Sequence, residues 1–463
     1  METVCRITNY MRVSNKSFDG WDISYEYVEW NGQSCGYATS KAKISNFAGT
    51  IRVRHLTVYP LSFDDDALGI QTRLTARGRD FERLRGYHFL TYTGKKILLT
   101  KPEAKPVSSR VVIDAFAYYR SCNIVKPELK PLCEEVRGQE EKQKDEDRED
   151  SDSDDGSSDS STAAGPALTT LVTNEPVARK EDLRSLTDEQ CLLATPWLIG
   201  LDLKSKEWGQ FLIEDLTEIP WTDTAFDNLV LPGGEKELAW SFLENKNLSN
   251  GGEWNDFIPE KGRGIIILMF GLPGWPKNPD LLYSISAGVL GTKPKEVEDA
   301  LDHALELCRL WNAMLLLDEA DIFLGARTNE GLARNELVSI FLTKLEYYQG
   351  ILFLTTNRFS SIDYAFQSRI DLFLPYSDLT PPARKQVWEN FITRMPDKFD
   401  IGEDGIRKLS EINLNGREIK NLIKSAQLLC FKSGDQVSAE RLCILAENRV
   451  RALKLLKESD DYV

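Results

Sequence analysis

Residues 312–357 read NAMLLLDEADIFLGARTNEGLARNELVSIFLTKLEYYQGILFLTTN. Met314 to Leu317 is an unbroken apolar run, too short for a helix and without period-2 alternation. A strand buried on both faces of a parallel sheet reads this way. It ends in Asp318-Glu319. Burying a free carboxylate is costly, so both acids are expected where the strand emerges, at a ligand crevice. Asn335 to Tyr348 has helical apolar spacing through Leu337, Ile340, Phe341 and Leu345. A second apolar strand, Ile351 to Leu354, ends in Thr355-Thr356-Asn357. Two buried strands joined by a helix, each with a polar tip, make a nucleotide-type α/β site.

The residue types suit phosphoryl chemistry. The first acid of such a pair can hold Mg²⁺, directly or through water. The second can polarise a water for attack on a γ-phosphate, and an Asn on the next strand can orient that water. On these motifs, LLLDEAD resembles a Walker B motif and TTN resembles sensor 1 of the AAA+ ATPases. FQSRID (Phe366 to Asp371) resembles the arginine-finger segment, with Arg369 as the finger. LNGREIKNLI (Leu414 to Ile423) resembles the sensor-2 helix, with Arg417 as its cation. The wording from YSISAG through FQSRI is similar to a fungal family of AAA+ proteins, and the resemblance extends over nearly the whole chain. It implies an α/β fold: a P-loop NTPase-like AAA+ parallel sheet with a C-terminal helical lid, preceded by a β-rich α+β N-terminal domain. It further implies ATP and Mg²⁺ as ligands, with Asp318 at the metal, Glu319 at the water, Asn357 as sensor and Arg369 serving a neighbouring subunit. An oligomeric ring, of one chain type or with related ATPases, and a remodelled protein partner belong to the same expectation. A DEAD-box helicase would also need Ser-Ala-Thr and Arg-rich motifs downstream, and neither is present.

The phosphate loop departs from that family. Lys261-Gly262-Arg263-Gly264 leads into an apolar strand, Ile265 to Phe270, after which G-x-x-x-x-G-K-[ST] and a helix are expected. The chain instead has Gly271-Leu272-Pro273-Gly274-Trp275-Pro276-Lys277-Asn278. Gly271, Gly274 and Lys277 remain as phosphate-binding candidates. Pro276 replaces the second glycine, has no N–H to give and fixes its own φ. Asn278 replaces the hydroxyl that would reach Mg²⁺, and Pro279 biases it away from helix. The next strand, LLYSIS, starts at Leu281, leaving no residues for the helix whose N-terminus would cradle the phosphates. In AAA+ folds that strand lies three positions across the sheet, a diagonal of about 22 Å. Residues 271–280 span about 33 Å when extended, so the chain closes but leaves a sheet face partly bare. Two accounts compete: about a dozen codons lost at a misassigned intron, or a true pseudo-ATPase that keeps the fold as an interaction protein. The intact later motifs favour the first.

Outside this module the sequence is less specific. At 463 residues, two to four domains are expected. The expected order is a β-rich domain over 1–133, an acidic linker or insertion over 134–167, the rest of that domain and a connector over 168–245, the ATPase core over 246–375 and the lid over 376–463. Net charge is −15, and residues 139–160 alone hold 11 acids against 3 bases. The remainder is only mildly acidic, which argues against nucleic acid as a partner. The acidic run is nearly free of apolar residues and cannot offset its ordering entropy by burial. Its serines, among them Ser151, Ser153 and Ser157, suit acidophilic kinases. Eight cysteines lack C-x-x-C pairing, and only three histidines occur. Reduced thiols in cytosol or nucleus, without structural zinc, are the expectation. No apolar run approaches a membrane span.

In the first domain, Trp21 to Tyr37 alternates around Asn31-Gly32 and predicts a hairpin. Strands are also predicted over Ile51 to Tyr59, Tyr87 to Leu99 and Val111 to Tyr119, and a helix over Asp64 to Leu84 with Ile70, Leu74, Phe81 and Leu84 inward. Trp208 and Phe211 are expected in the core, and Ala225 to Asn245 is read as turn and helix. Beyond the phosphate loop a helix runs from Pro294 to about Asn312, with Val297, Leu301, Ala304, Leu305 and Cys308 inward. The loop before it, Ala287 to Thr292, has no aromatic where AAA+ unfoldases carry a pore residue. Lid helices are expected over Pro382–Phe391, Gly416–Phe431 and Ser438–Lys457.

Overall fold

The computed structural model describes residues 2–14, 18–101, 103–132, 181–220, 237–238, 241, 264–270, 281–325, 332–358, 362–375, 379–430 and 436–460. The chain divides into two compact units, Met1–Ile219 and Pro220–Val463.

The first unit opens with an antiparallel sheet of β1 (Arg6–Ser14), β2 (Asp19–Trp30) and β3 (Cys35–Ser45). The β2–β3 turn is the predicted Asn-Gly turn. The Asn31 side chain accepts from the Gln33 and Ser34 amides, and Gly32 has φ +89°. A Cβ at Gly32 would also come within 2.6 Å of the Phe116 backbone. Glycine is thus required twice, for its left-handed conformation and for space. Next come α1 (Ala67–Leu84), β4 (His88–Leu98), β5 (Ala104–Ile113) and α2 (Ala115–Ser121). Helix α1 buries Ile70, Leu74, Phe81 and Leu84 as its periodicity predicts. After residue 180 the same unit continues with α3 (Asp188–Leu192), β6 (Trp197–Asp202), β7 (Glu207–Leu212) and β8 (Leu216–Thr217). These complete a second sheet of order β5-β6-β7-β4-β8.

Three expectations here are corrected. Ile51 to Tyr59 is not a strand; it holds one short 3-10 turn, Val53–His55, with none of that turn buried. The run predicted over Val111 to Tyr119 is strand only to Ile113, because Asp114 caps the Ala117 amide and starts α2. Phe211 is fully buried, but Trp208 is only half-buried against Tyr118.

The second unit contains a five-stranded, wholly parallel sheet: β9 (Ile265–Phe270), β10 (Leu282–Ser286), β11 (Met314–Asp318), β12 (Ile351–Thr356) and β13 (Leu372–Pro375). Its order is β10-β11-β12-β9-β13. Ile267, Leu268, Met314, Leu315, Leu352, Phe353 and Leu354 are almost wholly enclosed, which explains the lack of alternation in these runs. β10 lies three positions from β9, as expected. The connecting residues 271–280, and the bare sheet face expected of them, fall outside the described residues. Helix α4 (Pro294–Trp311) ends on Asn312 in the left-handed conformation, φ +47°. It buries Leu307 rather than the expected Leu305. Then follow α5 (Asp321–Leu324), α6 (Leu332–Tyr347) and α7 (Tyr364–Gln367).

The chain ends in helices α8 (Pro381–Thr393), α9 (Glu403–Glu411), α10 (Gly416–Cys430) and α11 (Ala439–Asp460), with a two-stranded pairing of β14 (Phe399–Asp400) and β15 (Val437–Ser438). Helix α9 and the small pairing were not foreseen. Trp388, Leu409, Ile419, Leu422 and Leu442 form the centre of this helical core. The buried Arg384 ties it together, donating to the carbonyl of Ser410 and to Asn413. The segment read as turn and helix over Ala225 to Asn245 is described only at Glu237, Leu238 and Ser241, all helical.

Candidate functional site

All five strands of the parallel sheet run the same way, so their carboxyl ends share one edge. Thr356 stands opposite Phe270, and Ser286 opposite Asp318. From β9 the chain crosses to β10, returns through β11 to β12, and then passes β9 to β13. The reversal lies between β9 and β12, and a crevice at the carboxyl ends of such neighbours is where α/β sheets bind ligands. β9 reaches that edge at Phe270.

Asp318 is the last residue of β11 and is half-buried; Glu319 is exposed. The turn between them is abrupt. Glu319 has φ +56°, a left-handed conformation uncommon for a residue with a side chain. It keeps the Glu319 carboxylate outside while Ala320 is completely enclosed. The next strand fixes this turn. The Glu319 amide donates to Thr355 Oγ1 at 3.0 Å, and the Ala320 amide to the Thr355 carbonyl at 2.9 Å. The Thr355 hydroxyl donates to Asp318 Oδ1. Among the described residues, Asp318 Oδ2 and the Glu319 carboxylate take no hydrogen bond.

A second tie lies one residue further on. Thr356 Oγ1 donates to Asp321 Oδ1, which also receives the Asn357 amide at 3.3 Å. The Asn357 side chain is exposed at the same edge. Sequence reading singled out Asp318, Glu319 and Asn357 but not Thr355, Thr356 or Asp321. The signal was available. Two hydroxyls inside a buried strand must find partners, and the spacing of the two aspartates in DEAD supplies one acceptor for each.

Arg369 lies just beyond α7. Its guanidinium donates to the Ala365 carbonyl at 2.8 Å and comes within 3.9 Å of Glu346. Asp371 anchors the segment to the sheet by exchanging hydrogen bonds with Ile266, accepting its amide at 2.7 Å and donating its own amide to the Ile266 carbonyl. Burial pushes the Asp371 carboxyl above the usual carboxylate range. Arg417 is exposed in the first turn of α10. That helix starts with a reciprocal cap, the Asn415 amide to Glu418 and the Glu418 amide to Asn415, each 2.9 Å. A cation at a helix N-terminus works against the helix dipole, so Arg417 does not stabilise its own helix. Gly271, Gly274 and Lys277 lie outside the described residues.

Among the described residues no group of three or more His, Cys, Asp or Glu could hold a metal. Mg²⁺ is characteristically held by one or two carboxylates together with substrate phosphates and water. The uncommitted Asp318 oxygen at a strand tip fits that kind of site.

A family model, a domain of unknown function (DUF7025), matches residues 1–65, which include the β1–β3 sheet. No curated protein matches the chain. Among solved structures, the AAA domain of FIGL-1 is similar over 51% of this chain and 90% of its own, at 15% identity and a TM-score of 0.38. A HORMA:CdnC:Trip13 complex of E. coli MS115-1 is similar over 50% of this chain and 93% of the matched one, at 13% identity and a TM-score of 0.38.

Proposed function

We propose that the second unit is an AAA+ ATPase module that binds ATP with Mg²⁺, hydrolyses it and couples the turnover to remodelling a protein partner. One observation carries this reading: Asp318, Glu319 and Asn357 converge at the carboxyl edge of a parallel sheet of order β10-β11-β12-β9-β13, beside the strand that leads into Gly271. Asp318 would hold the metal, which when bound would neutralise phosphate charge. Glu319, exposed and without a side-chain hydrogen bond among the described residues, takes the proton from an attacking water, and Asn357 orients that water. Lys277, Gly271 and Gly274 are the phosphate contacts in this reading, and Arg417 the cation from the helical lid. Arg369 acts on a neighbour's nucleotide, which requires an oligomer. The lid corresponds to residues 376–463 and the core to 246–375. Residues 134–167 are an acidic insertion within a first domain that resumes at 168–245.

Cys5, Cys35, Cys122, Cys191, Cys308, Cys430 and Cys443 are all free. That supports a reducing compartment, cytoplasm or nucleus. Among the described residues no helix is long and apolar enough to cross a membrane.

Pro276 and Asn278 support a second reading, a pseudo-ATPase that keeps the fold and lends Arg369 to active partners. Glu319→Gln separates the two. Under the first reading this variant binds ATP as the parent does and loses turnover by about a hundredfold or more. Unchanged turnover in the native assembly would show that this chain's own site is not the engine.

A further inference from the structure

We infer that Thr355 is a positioning residue whose single hydroxyl sets both acids of the Asp318-Glu319 pair. A threonine hydroxyl has one proton to give and lone pairs to receive. Here both capacities are committed to the site: the proton goes to Asp318 Oδ1, and the oxygen receives the Glu319 amide at 3.0 Å. Thr355 is 6% exposed, so no water can easily replace either bond. One bond occupies Asp318 Oδ1, while Oδ2 takes no hydrogen bond among the described residues. The other pins the left-handed backbone at Glu319, φ +56°, and so holds that carboxylate outward. Such a conformation persists only where its surroundings over-determine it, and the Thr355 hydroxyl and carbonyl are what restrain this turn. Thr356 serves a separate acid, Asp321, so the two threonines are not interchangeable.

Valine at this position keeps the branched shape and removes the hydroxyl. Serine keeps the hydroxyl and removes the methyl. Alanine lacks both, and the serine–alanine pair isolates the hydroxyl should Thr355→Val fail to fold. The first readout is hydrogen–deuterium exchange over residues 314–324 in the full chain without nucleotide. The parent and Thr355→Ser should protect the Glu319 amide, while Thr355→Val and Thr355→Ala should exchange there faster, with the rest of the sheet unchanged.

The second readout is steady-state ATP turnover, which rests on the nucleotide reading above. Thr355→Val should lower kcat by about a hundredfold with KM little changed, and Thr355→Ser should restore it. Equal exchange in all four proteins, or full turnover in Thr355→Val, would overturn the proposal. If the parent chain neither binds nor hydrolyses ATP, the functional reading fails, and exchange alone decides the role of Thr355.

Discussion

Lys96 shows how strictly a buried charge must be answered. It is 1% exposed, and its ammonium donates to Asp202 at 2.9 Å and Ser205 at 2.6 Å and lies 3.1 Å from Glu207. Asp202 also accepts from the Ser109 and Ser205 hydroxyls and the Lys204 amide. Burial raises the Asp202 pKa, but these bonds outweigh it and hold the carboxyl at about 2. The folded pKa lies below the unfolded one, so the stabilisation is present above about pH 5 and is lost as pH falls through 4 toward 2. The expected outcome is a drop of about 2 kcal/mol in first-unit stability from this group between pH 5 and pH 2. Lys96→Met should cost about 3–5 kcal/mol at neutral pH by leaving Asp202 buried without its cation. Urea unfolding followed across that pH range checks both. None of this was legible in the sequence, because Lys96 and Asp202 are 106 residues apart. The position of Asp318 and Glu319 at a strand tip was legible, because an apolar run points straight at them.

At the scale of elements, periodicity predicts what a local pattern can encode. It finds α4 and four of the five strands of the parallel sheet to within about two residues and α1 to within three, but β13 (Leu372–Pro375) was not foreseen. It fails over Ile51 to Tyr59, where a strand-like composition lacks a partner strand. It cannot explain Gly78 in the middle of α1. The packing does: a Cβ there would lie 2.0 Å from the Cys191 carbonyl oxygen, so glycine admits α3 against α1. Gly78→Ala would gain about 1 kcal/mol of helix propensity. The obstruction is backbone and cannot rotate away, and overpacking costs about 1–3 kcal/mol or more. The net expectation is destabilisation, read as a lower Tm. A rise in Tm would show that α3 moves aside freely.

At the scale of the whole molecule, the sheet of the first unit pairs β5 with β6 across the acidic segment. Elements on both sides of residues 133–180 are therefore needed for one fold, and the acidic run interrupts that fold rather than ending it. The order of the parallel sheet was inferable only through the AAA+ resemblance, because nothing in a buried apolar run says which neighbour it takes. The stretch Gly271 to Asn278 is where the AAA+ resemblance and this chain's residues disagree, and in sequence it follows directly on β9, a strand at the crevice on which the functional reading depends. The most direct test is an ATP titration of the purified 463-residue chain by calorimetry, with and without Mg²⁺. The account predicts micromolar binding that strengthens with Mg²⁺ and loses that strengthening in Asp318→Asn. No binding by a cooperatively folded sample would contradict it and leave the parallel sheet without a nucleotide.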